Sequence, residues 1–408
     1  MTKLESDNKL VTFPIFMLLI YVVCTFFPII YMYMPFLGKI KIVLLAGVGL
    51  LISYIFSSGN YTNSKVYRNP VFFAWAGFLA VMVMSLLVSY DRGLTLKTIE
   101  SNVKYFIVFL VMVKIIDSDK RLDLILGILA ACGVGMAVST VVNYLFLGET
   151  FRDSYRAMAL ETGIFGDPND LAMLFNVTLA FLLYFFVTRR KKLFALLGII
   201  TTIAAVMFTY SRGGFLGLCA VALGFLFSLR KNKKGYVLLL LAVGVVFWTL
   251  APENYKERIS TIKEEAQVDE ETGKYKGRME AWKVVIREGM NRPFLGAGAG
   301  CSLYVTGPAM RDWRTTHNSF IQVFAEMGLI GLLFFVFLFI LPYKQYRRFA
   351  RHNIGGLETQ LQRYGFTLLS FASFATTAFF LPQAYSPILY MLSGFSLIEA
   401  QLICKSQT

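Results

Sequence analysis

Charge is scarce in this sequence. Asp, Glu, Lys and Arg supply only 16% of its 408 residues, against about 25% in an ordinary soluble domain. Hydrophobic residues supply 56% and mean hydropathy is +0.60. A chain this apolar could not keep its surface wet as a globule, which excludes a soluble enzyme, a disordered protein and a DNA-binding domain. Histidine is scarcer still: His317 and His352 are the only two, too few for a histidine cluster. The five cysteines, Cys24, Cys132, Cys219, Cys301 and Cys404, match neither a disulfide framework nor a zinc spacing. A cleaved signal peptide is not expected either. The first apolar run, Val11 to Met34, is too long for a signal core and lacks a small-x-small cleavage site.

What the sequence has instead is apolar runs, rich in its 38 Phe and 21 Tyr. Spans of about 20 residues suffice to cross a bilayer. Hydropathy predicts them at 11–34, 39–56, 71–90, 102–116, 122–147, 171–187, 193–210, 213–229, 235–251, 319–341, 364–381 and 385–403. The expected fold is all-α, a polytopic membrane protein of about twelve helices. The net charge of +15 is then a question of sidedness rather than of nucleic acid. Arg189 to Lys192, Arg230 to Lys234, and Lys344 to Arg363 are the basic loops, and all fall on one side of the count. The positive-inside rule puts that side, and both termini, in the cytoplasm.

One long outer segment remains, 252–318, expected to carry short amphipathic helices. Met279, Trp282, Val285 and Ile286 recur there at helical spacing, ended by Arg292-Pro293 and followed by a flexible turn at Gly296, Gly298 and Gly300. The chain divides into N-terminal helices (1–192), a core with the outer loop (193–343) and C-terminal helices (344–408).

Three outer positions carry chemistry-bearing groups. Arg212, in Tyr210-Ser211-Arg212-Gly213-Gly214, sits at the membrane edge, where an arginine binds anions or simply snorkels to headgroups. Arg278 opens the amphipathic helix, and an arginine beside free helix N–H groups suits phosphate, although arginines on solvated loops are common. His317 lies in Thr315-Thr316-His317-Asn318-Ser319 ahead of the tenth span. It is the only outer histidine, and an imidazole, titrating at about 6.5, can take a proton from a hydroxyl. Thr316 or Asn318 could equally serve as a helix cap. Asp117-Ser118-Asp119 and Asp167-Pro168-Asn169-Asp170 have metal-like spacing, but each precedes a helix where an acidic cap is expected.

Together these stretches resemble the O-antigen ligase and polymerase superfamily of bacterial envelope enzymes. His317-Asn318, nine residues, then Gly328-Leu329-Ile330-Gly331 is similar to the ligases' His-Asn, nine residues, Gly-x-x-Gly signature, with Glu326 in its Glu-x-Gly. Gly277-Arg278, Trp282, Pro293 and the Gly296-x-Gly298 run match an upstream element, as does Thr209-Tyr210-Ser211-Arg212. Pro168-Asn169 with Leu171-Ala172 matches more weakly. An acidic residue usual near the closing helices is missing from Leu381-Pro382-Gln383-Ala384-Tyr385.

The resemblance implies a glycosyltransferase of the bacterial inner membrane with an outer, periplasmic active site and no cofactor or metal. Its partners would be an undecaprenyl-pyrophosphate-linked glycan donor, a lipid A core or other glycan acceptor, and membrane lipids. It further implies His317 as catalytic base, Arg212 and Arg278 on the pyrophosphate, and Asn318 on substrate. A polymerase using the same donor is the near alternative. A lipid-linked glycan flippase would be expected to carry repeats and charges inside its helices, whereas most charge here lies in loops.

Overall fold

The computed structural model describes residues 10–57, 59, 61, 66–148, 150, 155–228, 278–310, 316–351 and 357–406. Among them the regular elements are helices, with one isolated bridge between Thr150 and Ala157. In chain order they are α1 (Phe13–Phe26), α2 (Ile30–Tyr33), α3 (Pro35–Lys39), α4 (Ile42–Ser57), α5 (Pro70–Ser85), α6 (Arg92–Ile115), α7 (Asp119–Val142) and α8 (Pro168–Val187). Then come α9 (Lys192–Phe208), α10 (Arg212–Ser228), α11 (Arg278–Met290), α12 (Ser302–Met310), α13 (Ser319–Arg351), α14 (Glu358–Ala378) and α15 (Pro387–Lys405). A polar cap followed by proline opens several of them. Asn69 accepts the Val71 N–H at 2.9 Å ahead of Pro70, and Asp167 accepts the Asn169 N–H at 2.7 Å ahead of Pro168. Proline suits this place because its missing N–H would have had no helical partner.

Four helical stretches are long and apolar enough to cross a membrane: Asp119–Leu147, Pro168–Val187, Ser319–Arg351 and Pro387–Lys405. Shorter apolar helices accompany them. The protein is therefore a membrane-embedded helical bundle. The expected span 235–251 and much of the outer segment lie outside the described residues. One expected span starts far too late: the helix predicted from 102 begins at Arg92. Hydropathy stops at Glu100 and Lys104, but these stand one turn apart and pair with each other, so the helix carries both charges.

A second correction concerns the tenth span, expected as a single membrane helix over 319–341. The rings of Phe320 and Phe335 lie 5.2 Å apart, and those of Phe320 and Phe339 5.8 Å. Fifteen residues of straight helix would separate Phe320 and Phe335 by about 22 Å. The helix therefore reverses, and it does so at Gly328, whose φ of 66° and ψ of −165° are non-helical. Residues 319–327 form one arm and 329–351 the membrane-length second arm, folded back along the first. A side chain at Gly328 would collide with the Phe294 carbonyl carbon at 2.3 Å. The glycine of the signature is thus the hinge of a helical hairpin.

The bundle has two chemically different ends. At one, α7, α8, α14 and α15 converge on buried Arg363. Its guanidinium binds Glu399 at 2.8 and 2.9 Å, Asp119 at 2.6 Å and Asp123 at 3.3 Å. Arg190, from the basic loop after α8, also pairs with Asp123. Asp117 pairs with Arg121 at 2.7 Å, so both aspartates of the Asp-x-Asp spacing are engaged with arginines. At the other end lie the starts of α8 and α10, joined through Asn169 and Ser211, and the end of α14, where Phe379 and Phe380 meet Trp282.

Candidate functional site

Arg212 is the first residue of α10, where the helix dipole is positive. The turn before it is built by side chains. Ser211 Oγ accepts the Gly214 N–H at 3.0 Å and donates to Asn169 Oδ1 at 2.7 Å. Buried Arg156 donates to the same Asn169 oxygen at 2.9 Å and to the Thr209 carbonyl at 3.0 Å. Tyr210, between Thr209 and Ser211, is held at a positive φ of 49°. The Thr-x-Ser-Arg and Pro-Asn elements, distant in sequence, are therefore one clasp that fixes where α10 begins.

His317, half-buried, is also held in the left-handed region, at φ 44°. Such a conformation costs free energy in a residue bearing a Cβ and tends to occur where function demands a fixed direction. Asn318 is fully buried, and its Oδ1 accepts the N–H groups of Phe320 and Ile321 at 2.9 and 3.0 Å. It is thus the cap of the first arm. Its amide nitrogen has no partner among the described residues, which leaves the substrate role open. Asn318→Asp keeps the capping oxygen and loses the N–H donor, whereas Asn318→Ala loses both. Thermal unfolding should show the alanine variant destabilised by about 0.5–2 kcal/mol and the aspartate variant by no more than that, since its charge would rest on the Phe320 and Ile321 N–H groups at the positive end of the helix. If Nδ2 contacts substrate, transfer assays should show the aspartate variant stable yet impaired. Unimpaired transfer would leave Asn318 as a cap alone.

Arg278 opens α11, as expected, one turn before Trp282; its side chain lies outside what the structure describes. The Trp282 indole donates to the Thr316 carbonyl at 2.8 Å, next to His317. Phe379 and Phe380, at the end of α14, tie the elements together. Trp282 packs on both rings at 5.4 and 6.4 Å, Phe320 on Phe379 at 6.3 Å, and Gly213 lies against Phe380. The elements carrying Arg212, Arg278 and His317 therefore meet at one place.

The structure adds residues not singled out for the site. Glu326, fully buried, accepts the N–H groups of Gly300 and Ser302 at 2.8 and 3.2 Å and the Tyr385 hydroxyl. It ties the glycine turn to the hairpin. That turn is not flexible, contrary to expectation. Ala297 and Gly298 donate to the Ala325 and Glu326 carbonyls, each at 2.9 Å, which the break at Gly328 leaves free. At Gly296 a Cβ would meet the hairpin backbone at 2.4 Å. The closing loop, which lacks its own acid, reaches one: Gln383 Nε2 donates to Asp170 Oδ1 at 2.7 Å. Glu326 was detectable as the one charge in the apolar run 319–341, since an isolated acid in such a run is rarely idle. Asn169 shows only as part of the weaker Pro168-Asn169 match, and Arg156 and Gln383 carry no comparable signal.

As for metals, Asp167 caps α8 and lies 3.7 Å from Arg156. No group of three His, Cys, Asp or Glu side chains stands close enough to hold an ion among the described residues.

Residues 197–336 match a family model described as O-antigen ligase. No curated protein matches the chain. The matched segment holds α10, α11, the glycine turn and the hairpin, with Arg212, Arg278 and His317 inside it. Through this segment, about a third of its length, the chain is similar to the O-antigen ligase family.

Proposed function

We propose that the protein is a ligase-type glycosyltransferase. It moves a glycan from undecaprenyl pyrophosphate to an acceptor hydroxyl, that of a lipid A core, at the periplasmic face of the inner membrane. The observation that carries this reading is the meeting of the Arg212, Arg278 and His317 elements around Phe379 and Phe380 within the family segment. As the bond from the anomeric carbon to pyrophosphate breaks, negative charge grows on the leaving group, and Arg212 and Arg278 neutralise it. The His317 imidazole takes the proton of the attacking hydroxyl. Asn318 holds the first arm in place behind it. Direct displacement inverts the anomeric carbon, and two guanidiniums make a metal ion unnecessary.

The basic loop after α8 shares an end with Arg363 and Asp123. With that end in the cytoplasm, both termini are cytoplasmic and His317 faces the periplasm. Labelling of single cysteines by a membrane-impermeant thiol reagent should reach position 270 from outside and position 232 only after permeabilisation. The reverse pattern would move the site to the cytoplasm and end this reading.

Glycan analysis of a deletion strain tests the reaction itself. Full-length chains should accumulate on the lipid carrier while the acceptor goes unmodified. Acceptor carrying a single repeat would instead identify the lost activity as a polymerase.

A further inference from the structure

A cavity of about 430 Å³ lies beside the hairpin, within the range of small-ligand pockets. Ala297 and Ala325 are among its apolar lining, and Tyr90, Glu288, Arg292 and Tyr304 bring polar groups to it. These polar groups are held in place. The Arg292 guanidinium lies over the Tyr90 ring at 4.3 Å and donates to the Val88 carbonyl at 2.8 Å. The Tyr304 hydroxyl donates to Asp91 at 2.8 Å. The Leu94 N–H, then Tyr304, holds the Asp91 carboxyl below its ordinary range, so this acid stays charged.

The position is as informative as the lining. Trp282, at one end of α11, touches the His317 loop; Glu288, six residues on, reaches the cavity. Ser319 and Ala325 stand in the same relation along the first arm, and Phe324 lies against Gly289, so α11 and the arm run side by side. Six helical residues span about 9 Å. The cavity therefore lies about 9 Å from the His317 loop, toward the turn at Gly328.

An anion there would face Glu288, and a cation would face Arg292. A purely apolar ligand would displace water from Glu288 and Arg292 and return nothing to the donors and acceptors that their protein partners leave unused. A neutral sugar satisfies all three constraints, because each hydroxyl both donates and accepts while its C–H face packs on apolar lining. We infer that this cavity is a carbohydrate subsite, holding neutral sugar residues of the glycan at about 9 Å from the His317 loop. The inference rests on the transferase reading for its glycan.

The probe is the strain's own glycan, freed from lipid and pyrophosphate by mild acid and titrated onto the full-length protein in nanodiscs by saturation-transfer NMR. The wild type should bind it. Glu288→Gln and Arg292→Gln, each melting within a few degrees of wild type, should weaken binding by roughly tenfold or more, as expected for lost hydrogen bonds to charged groups. Inorganic phosphate should not displace the glycan. In transfer assays the same variants should raise KM with little change in kcat. Wild-type binding that neither variant weakens, displacement by phosphate, or no binding by a wild type that transfers glycan would each overturn the subsite. Conversely, a protein that binds glycan at this cavity but transfers none sinks the transferase reading and leaves the subsite standing.

Discussion

His317→Asn should lose transfer by roughly 10²–10⁴-fold, the usual worth of a general base, while the protein remains folded. Asparagine is the informative replacement because of the backbone. His317 sits at φ 44°, a conformation asparagine adopts more readily than residues lacking a short polar side chain. Alanine would mix lost chemistry with added strain. Donor binding should be nearly intact in this variant, since the imidazole acts only on the acceptor proton. Arg212→Ala should behave differently. It should weaken donor binding and lose transition-state stabilisation on the order of 2–4 kcal/mol, by analogy with a removed oxyanion donor. Arg212→Lys should rescue little, because an ammonium lacks the planar fork that grips two oxygens. Single-turnover rates with purified enzyme and lipid-linked donor separate the two cases. A folded His317→Asn variant that transfers at the wild-type rate would reduce the histidine to a neighbour of the helix cap.

The helical class and most span positions were legible because transmembrane stretches announce themselves by length and apolarity. The catalytic candidates were legible as motif residues, yet the reasons for several motif positions were not. In the His-Asn…Gly-x-x-Gly signature, the spacing reads as the start of an ordinary helix. The contacts of Phe320 with Phe335 and Phe339 and the backbone of Gly328 reveal that the chain folds back there. Hydropathy averages along a run and cannot register a reversal inside it. The clasp of Arg156, Asn169 and Ser211 was hidden for another reason. Its members come from three separate stretches, and each alone reads as a cap or a loop charge. The closing loop has no acid of its own, and Gln383 bridges instead to Asp170 of α8, a partner that no local pattern indicates. Glu399 stood in plain view as the single charge of its apolar run, as Glu326 did. Its role is not legible locally, because its partner Arg363 lies 36 residues away and reads in sequence as one more basic loop residue.

That pair should give the largest stability effect in the molecule. Arg363 is 1% exposed and Glu399 fully buried. Two hydrogen bonds join the guanidinium to both carboxylate oxygens. Arg363→Met would leave Glu399 buried without its counter-charge, and removal of one partner of a buried pair costs about 3–5 kcal/mol. Asp119 and Asp123 would lose the same guanidinium, although Arg190 still serves Asp123 and Gln360 donates to Asp119 at 3.3 Å. α7, α8, α14 and α15 would then lose their common tie, since the Tyr184 hydroxyl links α8 to it through Asp123 at 2.9 Å. Thermal unfolding in detergent, followed by circular dichroism, should show the single variant strongly destabilised. Arg363→Met combined with Glu399→Met should recover much of the loss, because an apolar pair of similar volume avoids the desolvation of both charges. The recovery separates electrostatics from packing. If the double variant is as unstable as the sum of the two single variants, the clamp acts through shape and not through charge. If Arg363→Met alone melts like the wild type, the four-helix tie contributes nothing to holding this end of the bundle closed.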